Sequence, residues 1–266
     1  MKSEGKVVVL TGASSGIGKA AAEILYKKGC VVYDLSRHDG NTEGAKHIDC
    51  DVTSEEAVRA AIERVISEAG RIDGLLCCAG FGISGAVEYT TEKDALRQFD
   101  VNFFGVDRAV RASLPQMREQ GGGRIVIVSS AAAVLPIPFQ TYYSAVKSAL
   151  NTYARALQGE VKPFGITVTA LLPGDTKTGF TDARNASREG DDVYAGRITR
   201  SVGRMEKDEQ SGVPAEKVGA LLARLATKKR VSPLVAAGFA YKAACFFPRF
   251  FPTAFVDKIL ASLYAK

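Results

Sequence analysis

KVVVLTGASSGIGKAAAEILYKKG, Lys6–Gly29, is the stretch on which the fold turns. It opens on the apolar run Val7–Leu10, mostly β-branched, which reads as a strand buried on both faces. From Gly16 to Lys28 the apolar residues fall at helical spacing. Between them lies TGASSGIG, Thr11–Gly18, with Gly12, Gly16 and Gly18 where the strand turns into the helix. Glycine permits that tight turn and lets backbone N–H groups approach a pyrophosphate at the positive end of the helix. A glycine triplet alone is a weak signal. The strand before it and the helix after it give it the context of a dinucleotide loop.

The alternation continues along the chain. CVVYDLS (Cys30–Ser36), KHID (Lys46–Asp49) and DGLLCC (Asp73–Cys78) read as strands, with an amphipathic helix at Ser54–Ala69 capped by Ser54. A long helix runs to Gln120, RIVIVSS follows the Gly121-Gly122-Gly123 breaker, and a further helix spans 140–161. ITVTALLPG, from Ile166, ends in a Pro-Gly turn. The pattern predicts an α/β fold: one Rossmann-type doubly wound parallel sheet of about seven strands, covered by helices on both faces. A single domain over residues 1–266 accounts for the length. Such sheets bind ligands beyond the carboxyl ends of their strands, where strand order reverses. Residues 179–213 are polar and charged and are expected to form a mobile insertion on the substrate side. Residues 231–266 are expected to form an apolar C-terminal extension.

Composition narrows the partners. The charge of +6 is spread along the chain except at Lys228-Lys229-Arg230, which reads as a solvated helix end, so no nucleic-acid groove is indicated. Five cysteines and two histidines show no metal-ligand spacing, and no metal is expected. The N-terminal MKSEGKVVVL carries no apolar signal region, so a cytoplasmic location is expected. LVAAGFAYKAACFFPRFFPTAFV, Leu234–Val256, is interrupted by Lys242, Pro248, Arg249 and Pro252, and falls short of the ~20 apolar residues of a spanning helix. An apolar lid or subunit contact is favoured there over a membrane-surface anchor.

One further stretch carries chemistry. TYYSAVKSAL, Thr141–Leu150, holds Tyr143 and Lys147 four residues apart, on one face of a helix; Tyr142 has no cation at that spacing. Taken together, T-G-x-x-x-G-x-G and a later Y-x-x-x-K resemble the short-chain dehydrogenase/reductase family, in its single-domain branch. The resemblance covers roughly residues 5–180, and Gly80–Gly105 with the tail is similar to hydroxysteroid and retinol dehydrogenase-like members. It implies a catalytic set of Asn102, Ser130, Tyr143 and Lys147, with Tyr143 as general acid/base, Ser130 holding the carbonyl oxygen and Asn102 steadying a relay water. Lys147, together with an oxidised nicotinamide, is expected to lower the Tyr143 pKa. Cofactor contacts implied at the loop are Gly12, Ser14, Ser15, Gly16, Ile17 and Gly18. Asp51 and Val52 would meet the adenine, and Ala79 and Gly80 the cofactor at the fourth strand. Asn102, Tyr143 and Lys147 would reach it too, with Pro173, Gly174, Thr176 and Thr178 near the carboxamide.

The chain departs from the family where Cys77-Cys78-Ala79-Gly80 replaces Asn-Asn-Ala-Gly; cysteine there is a small buried hydrophobe, and amide hydrogen bonds are lost. At the second strand, Ser36 and Arg37 fit a 2′-phosphate, so NADP(H) is preferred, while Asp34 on the same strand keeps NAD(H) as the alternative. The loops Gly80–Ala86 and Leu135–Phe139 carry no charge, which favours a bulky apolar ketone or alcohol, steroid-, retinoid- or acyl-like. Arg184, Arg188 and Arg197 are the candidates for an anionic substrate and otherwise read as solvated. The resemblance implies an NADP(H)-dependent oxidoreductase acting on a small-molecule carbonyl or alcohol, as a homodimer or homotetramer. The alternative is a dinucleotide-sensing regulatory or scaffolding protein without turnover, against which the complete catalytic set weighs.

Overall fold

The computed structural model describes residues 5–228 and 231–265. Lys229 and Arg230, two of the three residues in the basic triplet, lie outside that range. Seven strands form one parallel sheet: β1 (Val7–Thr11), β2 (Val31–Ser36), β3 (Ala45–Asp49), β4 (Gly74–Cys77), β5 (Gly123–Val128), β6 (Ile166–Leu172) and β7 (Leu234–Ala236). Their order is β7-β6-β5-β4-β1-β2-β3. Register pairs Val9 with Tyr33 on one side and with Leu75 on the other. The chain leaves β1 toward β2 and β3, then crosses back to β4, so the order reverses between β1 and β4. Loops after those two strands open onto the crevice there.

Both faces of the sheet are covered, which is why its central strands read as unbroken apolar runs. On one face, helices α2 (Glu55–Ala69), α4 (Gly105–Glu119) and α5 (Thr141–Val161) bury Val58, Ile62, Val110, Leu150 and Leu157 against Val9, Leu75 and Ile125. On the other, α1 (Gly16–Lys27) and α7 (Ala215–Thr227) bury Leu25 and Leu222 against Val8, Leu76 and Val126. Each such fully buried side chain is worth ~1.5–3 kcal/mol over leaving it exposed. The α1–α7 pair packs backbone to backbone: a Cβ on Gly219 would lie 2.7 Å from Ala20 Cβ. Ser54 caps α2 by accepting from the Ala57 N–H at 3.1 Å, as its sequence position predicts.

The C-terminal third differs in detail from its polarity pattern. Between β6 and α7, Arg197–Gln210 forms helix α6, with Ile198, Val202 and Met205 buried. Leu234–Ala236, the start of the apolar stretch, pairs with Ala170–Leu172 as the sheet's edge. Helices α8 (Phe239–Phe246) and α9 (Thr253–Tyr264) follow it. Phe239, Phe246, Phe247, Phe250, Phe251, Phe255 and Ile259 are all exposed, Phe239 by 88%. No helix among the described residues is long and apolar enough to cross a membrane.

Candidate active site

The loop after β1 is pinned from below. Asp34, on β2 and 1% exposed, accepts a hydrogen bond from the Ala13 N–H at 2.9 Å and another from the Ser36 hydroxyl. From the side, Thr42 donates to the Ala13 carbonyl at 2.8 Å. Glycine is required twice for close approach. A Cβ on Gly12, whose φ is +72°, would lie 2.7 Å from the Ala79 backbone, and one on Gly18 would lie 2.3 Å from the Gly12 carbonyl oxygen. Ser15 makes no side-chain cap, and the first turn of α1 holds no acidic residue. Its N–H groups are therefore open to an anion at the positive helix end. The cradle fits a dinucleotide pyrophosphate.

From this loop a cavity of about 860 Å³ runs across the carboxyl ends of the strands; ligand pockets span ~300–1,000 Å³. Of the catalytic and cofactor residues implied by the resemblance, all but Asn102 line it, from Gly12 and Arg37 to Ser130, Tyr143 and Thr178; of the loops expected to meet substrate, Gly80, Phe81, Leu135 and Ile137 do. Asp34 does not line the cavity either; its carboxylate is engaged with the loop and Ser36. Asp51 is shaped by Thr53, which donates to it through both N–H (2.9 Å) and hydroxyl (2.8 Å).

At the far end, three elements converge. Ser130 follows β5, which is tied to β6 by Ser129 N–H donating to Leu171 O (2.8 Å) and Ala131 N–H to Pro173 O (2.7 Å). Tyr143 and Lys147 come from adjacent turns of α5 and both face the cavity, whereas Tyr142 does not line it. Lys147 donates to the Val128 carbonyl at 2.9 Å, and its ammonium stands 5.5 Å from the centre of the Tyr143 ring. Lys147 by itself does not bring the Tyr143 pKa down. Burial pushes the phenol up to about 12, with a Ser130 hydrogen bond opposing it. The same burial brings Lys147 down to about 8. In this desolvated pocket burial is the largest influence on both groups.

Asn102 owes its position to an irregularity. Helix α3 (Glu92–Phe99) continues into α4 through a π turn at Asp100–Phe104, in which the Gly105 N–H bonds back to the Asp100 carbonyl. The Asn102 amide donates to the carbonyls of Gln98 and Phe81, both at 3.0 Å, and its Oδ1 is buried without a partner. A Cβ on Gly80 would sit 2.6 Å from that oxygen and 3.8 Å from Lys147 Nζ, so only Gly80 separates the two. Gln98 is wholly buried, accepting from Ile83 N–H (2.8 Å) and donating to Phe81 O (2.9 Å). The sequence reading passed over Gln98, although it lies four residues before Asn102 and so on the same helix face.

Toward the outside the lining turns apolar, with Leu135, Ile137 and Phe180 joined by Leu260 and Leu263 of α9. Tyr241 of α8 covers Gly174, where a Cβ would overlap its ring, and hydrogen-bonds the Asp175 carboxylate. Arg184 is not solvated: it is 7% exposed and ion-paired with Glu209 of α6. Arg188 is exposed, and Arg197 lies over the Phe139 ring, so neither of these two lines the cavity. Cys77 and Cys78 are not joined in a disulfide; burial raises the Cys77 thiol to about 12 and raises that of Cys78 as well. They act as packing. No cluster of potential metal ligands occurs among the described residues.

A glycine cradle at the reversal of a seven-stranded parallel sheet, with Ser130, Tyr143 and Lys147 beyond it, defines a nicotinamide-dependent oxidoreductase. The family model "short chain dehydrogenase" matches residues 6–189, and the chain belongs to that family. It is 42% identical over 245 residues to a 3-ketodihydrosphingosine reductase of Bacteroides thetaiotaomicron, covering 88% of this chain and 91% of that protein. A 3-ketodihydrosphingosine reductase of Bos taurus is 36% identical over 190 residues, 65% of this chain and 57% of that protein. Among solved structures, a short-chain dehydrogenase from Streptomyces avermitilis superimposes with a TM-score of 0.81 at 31% identity, covering 97% of this chain and 95% of that one.

Proposed function

We propose that the chain is an NADP(H)-dependent reductase of a long-chain ketone of the 3-ketodihydrosphingosine kind. The observation that carries this reading is the cavity, continuous from the glycine loop past Ser130, Tyr143 and Lys147 to an apolar end at Leu260 and Leu263. Kinship with the Bacteroides reductase favours an alkyl chain there over a steroid or retinoid. Bound NADPH supplies the hydride. Tyr143 gives its proton to the carbonyl oxygen, a step that suits a phenol kept protonated by burial. Ser130 donates to the same oxygen as charge builds on it. Lys147 would hold the nicotinamide ribose and serve as the proton source that restores Tyr143, and Asn102, whose Oδ1 is buried without a partner, would hold a relay water beside it. Arg37 meets the 2′-phosphate, and the engagement of Asp34 with Ala13 and Ser36 supports NADP(H) over NAD(H).

The exposed apolar face of α8 and α9 meets a lipid surface, from which the substrate enters beside Leu263, at once 48% exposed and part of the cavity wall. A homodimer or homotetramer is compatible with this arrangement. The deciding experiment follows NADPH oxidation with 3-ketodihydrosphingosine, beside the thermal midpoint with NADPH and with NADH. NADPH-dependent turnover and a larger shift with NADPH are expected. A larger shift with NADH refutes the cofactor assignment, and cofactor binding without turnover of any long-chain ketone favours the sensing alternative.

A further inference from the structure

We propose that Glu209 is a specificity-determining residue, the counter-charge for a substrate ammonium next to the reacting carbonyl. This rests on the reading of the site as a long-chain ketone reductase and narrows its substrate to an α-amino ketone. Glu209 lines the cavity, its side chain 14% exposed. Its carboxylate is fixed on two sides: Thr181 donates to Oε2 at 2.6 Å, and the Arg184 guanidinium holds Oε1. Arg184 itself, its side chain 1% exposed, does not line the cavity. What faces the incoming substrate is the acid, not the base.

The pair connects to the reacting residues through aromatic contacts. The Arg184 guanidinium lies 5.7 Å from the centre of the Phe180 ring, and that ring lies 5.6 Å from the ring of Tyr143. Asp175 is a second carboxylate on the same wall, bonded to Tyr241. With Asp208 and Arg204 beside Asp175, this region holds three acids and two guanidinium groups, one negative charge in excess. Packing alone does not account for the ion pair. Buried pairs are often no more stabilising than apolar side chains of equal volume, and Arg184 keeps Nε and Nη1 buried without acceptors. A carboxylate has room for further donors beyond these two. An ammonium entering this cavity loses its hydration and needs a fixed anion, which Glu209 supplies without reorganising.

The test compares 3-ketodihydrosphingosine with its desamino analogue, the same ketone without the amine, on wild type and on Glu209→Gln. The variant is expected to lower kcat/KM for the amino ketone at least tenfold, through KM, while the desamino ketone changes less than twofold. Equal losses on both ketones would reduce Glu209 to a structural partner of Arg184, and no loss on either would remove it from recognition. A second measurement needs neither a variant nor turnover. The wild-type protein with NADPH is titrated with dodecylamine and with dodecanol below their aggregation limits, following the thermal midpoint. Only the amine is expected to raise it, and an equal response to the alcohol overturns the proposal. A wild type that binds the amine yet reduces neither ketone would reject the reductase reading and leave the cation site standing.

Discussion

Tyr143 and Lys147 show how burial sets the chemistry of single residues. Tyr143→Phe keeps the ring and loses the proton, so it is expected to cut kcat at least ~100-fold while the NADPH-induced thermal shift survives. Lys147 makes a prediction about pH. Its proton is held at about 8 in the folded protein against the ordinary 10.5. Below pH 8 the fold bears the cost of a buried ammonium; between pH 8 and 10.5 the unfolded chain holds a proton that the folded one has released. Stability therefore rises with pH across that window. Relative to Lys147→Met, wild type is expected to gain up to about 3 kcal/mol there in denaturant titrations, and a pH-independent difference would contradict the assignment. Asp34 illustrates a residue whose identity was plain and whose use was not. It stands at the right strand for a ribose ligand, yet it satisfies Ala13 and Ser36. Asp34→Ala is expected to cost ~1–3 kcal/mol of unfolding free energy, leaving a buried N–H without an acceptor, and to leave the NADPH/NADH preference unchanged.

Among the elements, those legible from sequence were the ones whose local pattern and tertiary role agree. Val7–Leu10, Ile125–Val128 and most of Ile166–Leu172 are apolar because both sheet faces are covered, with Thr167 and Thr169 the exceptions. The glycine loop was equally plain, since backbone crowding leaves one residue type. Gly18→Ala, which would put a Cβ 2.3 Å from the Gly12 oxygen, is expected to abolish the NADPH-induced midpoint shift. An unchanged shift would mean that the loop relaxes at little cost. The seventh strand, Leu234–Ala236, was hidden inside a longer apolar stretch, because a three-residue edge strand has no period of its own. Nor did any pattern single out Glu209, one acid in the charged run Arg204–Gln210; only the packing of α6 turns it toward the cavity. The π turn at Asp100–Phe104 was equally silent, since its sequence reads as an ordinary helix.

For the whole molecule, the outer surface of α8 and α9 is the most consequential region. Its exposed phenylalanines exceed what a solvated face needs, and Lys242, Arg249 and Lys258 lie among them with Asp257 as the acid. The full chain is expected to co-sediment with phosphatidylglycerol vesicles and less with phosphatidylcholine. Phe250→Ser with Phe251→Ser, neither of which lines the cavity, is expected to weaken that association about tenfold, the effect of losing ~1.4 kcal/mol. Release of a dimer to monomer by the same variant, without vesicle binding, would assign the face to a second copy instead. The order of the strands carries one more consequence, for biosynthesis. Every strand flanking the glycine cradle is complete by Val128, whereas Glu209, the edge strand and the Leu260–Leu263 wall all come later. A ribosome therefore releases the dinucleotide half of the crevice first, and the closing edge must pair with a strand ending 62 positions earlier, at Leu172. Non-local parallel pairing of that kind is slow, which makes the late-emerging aromatic segment the part of the nascent chain most dependent on protection from aggregation.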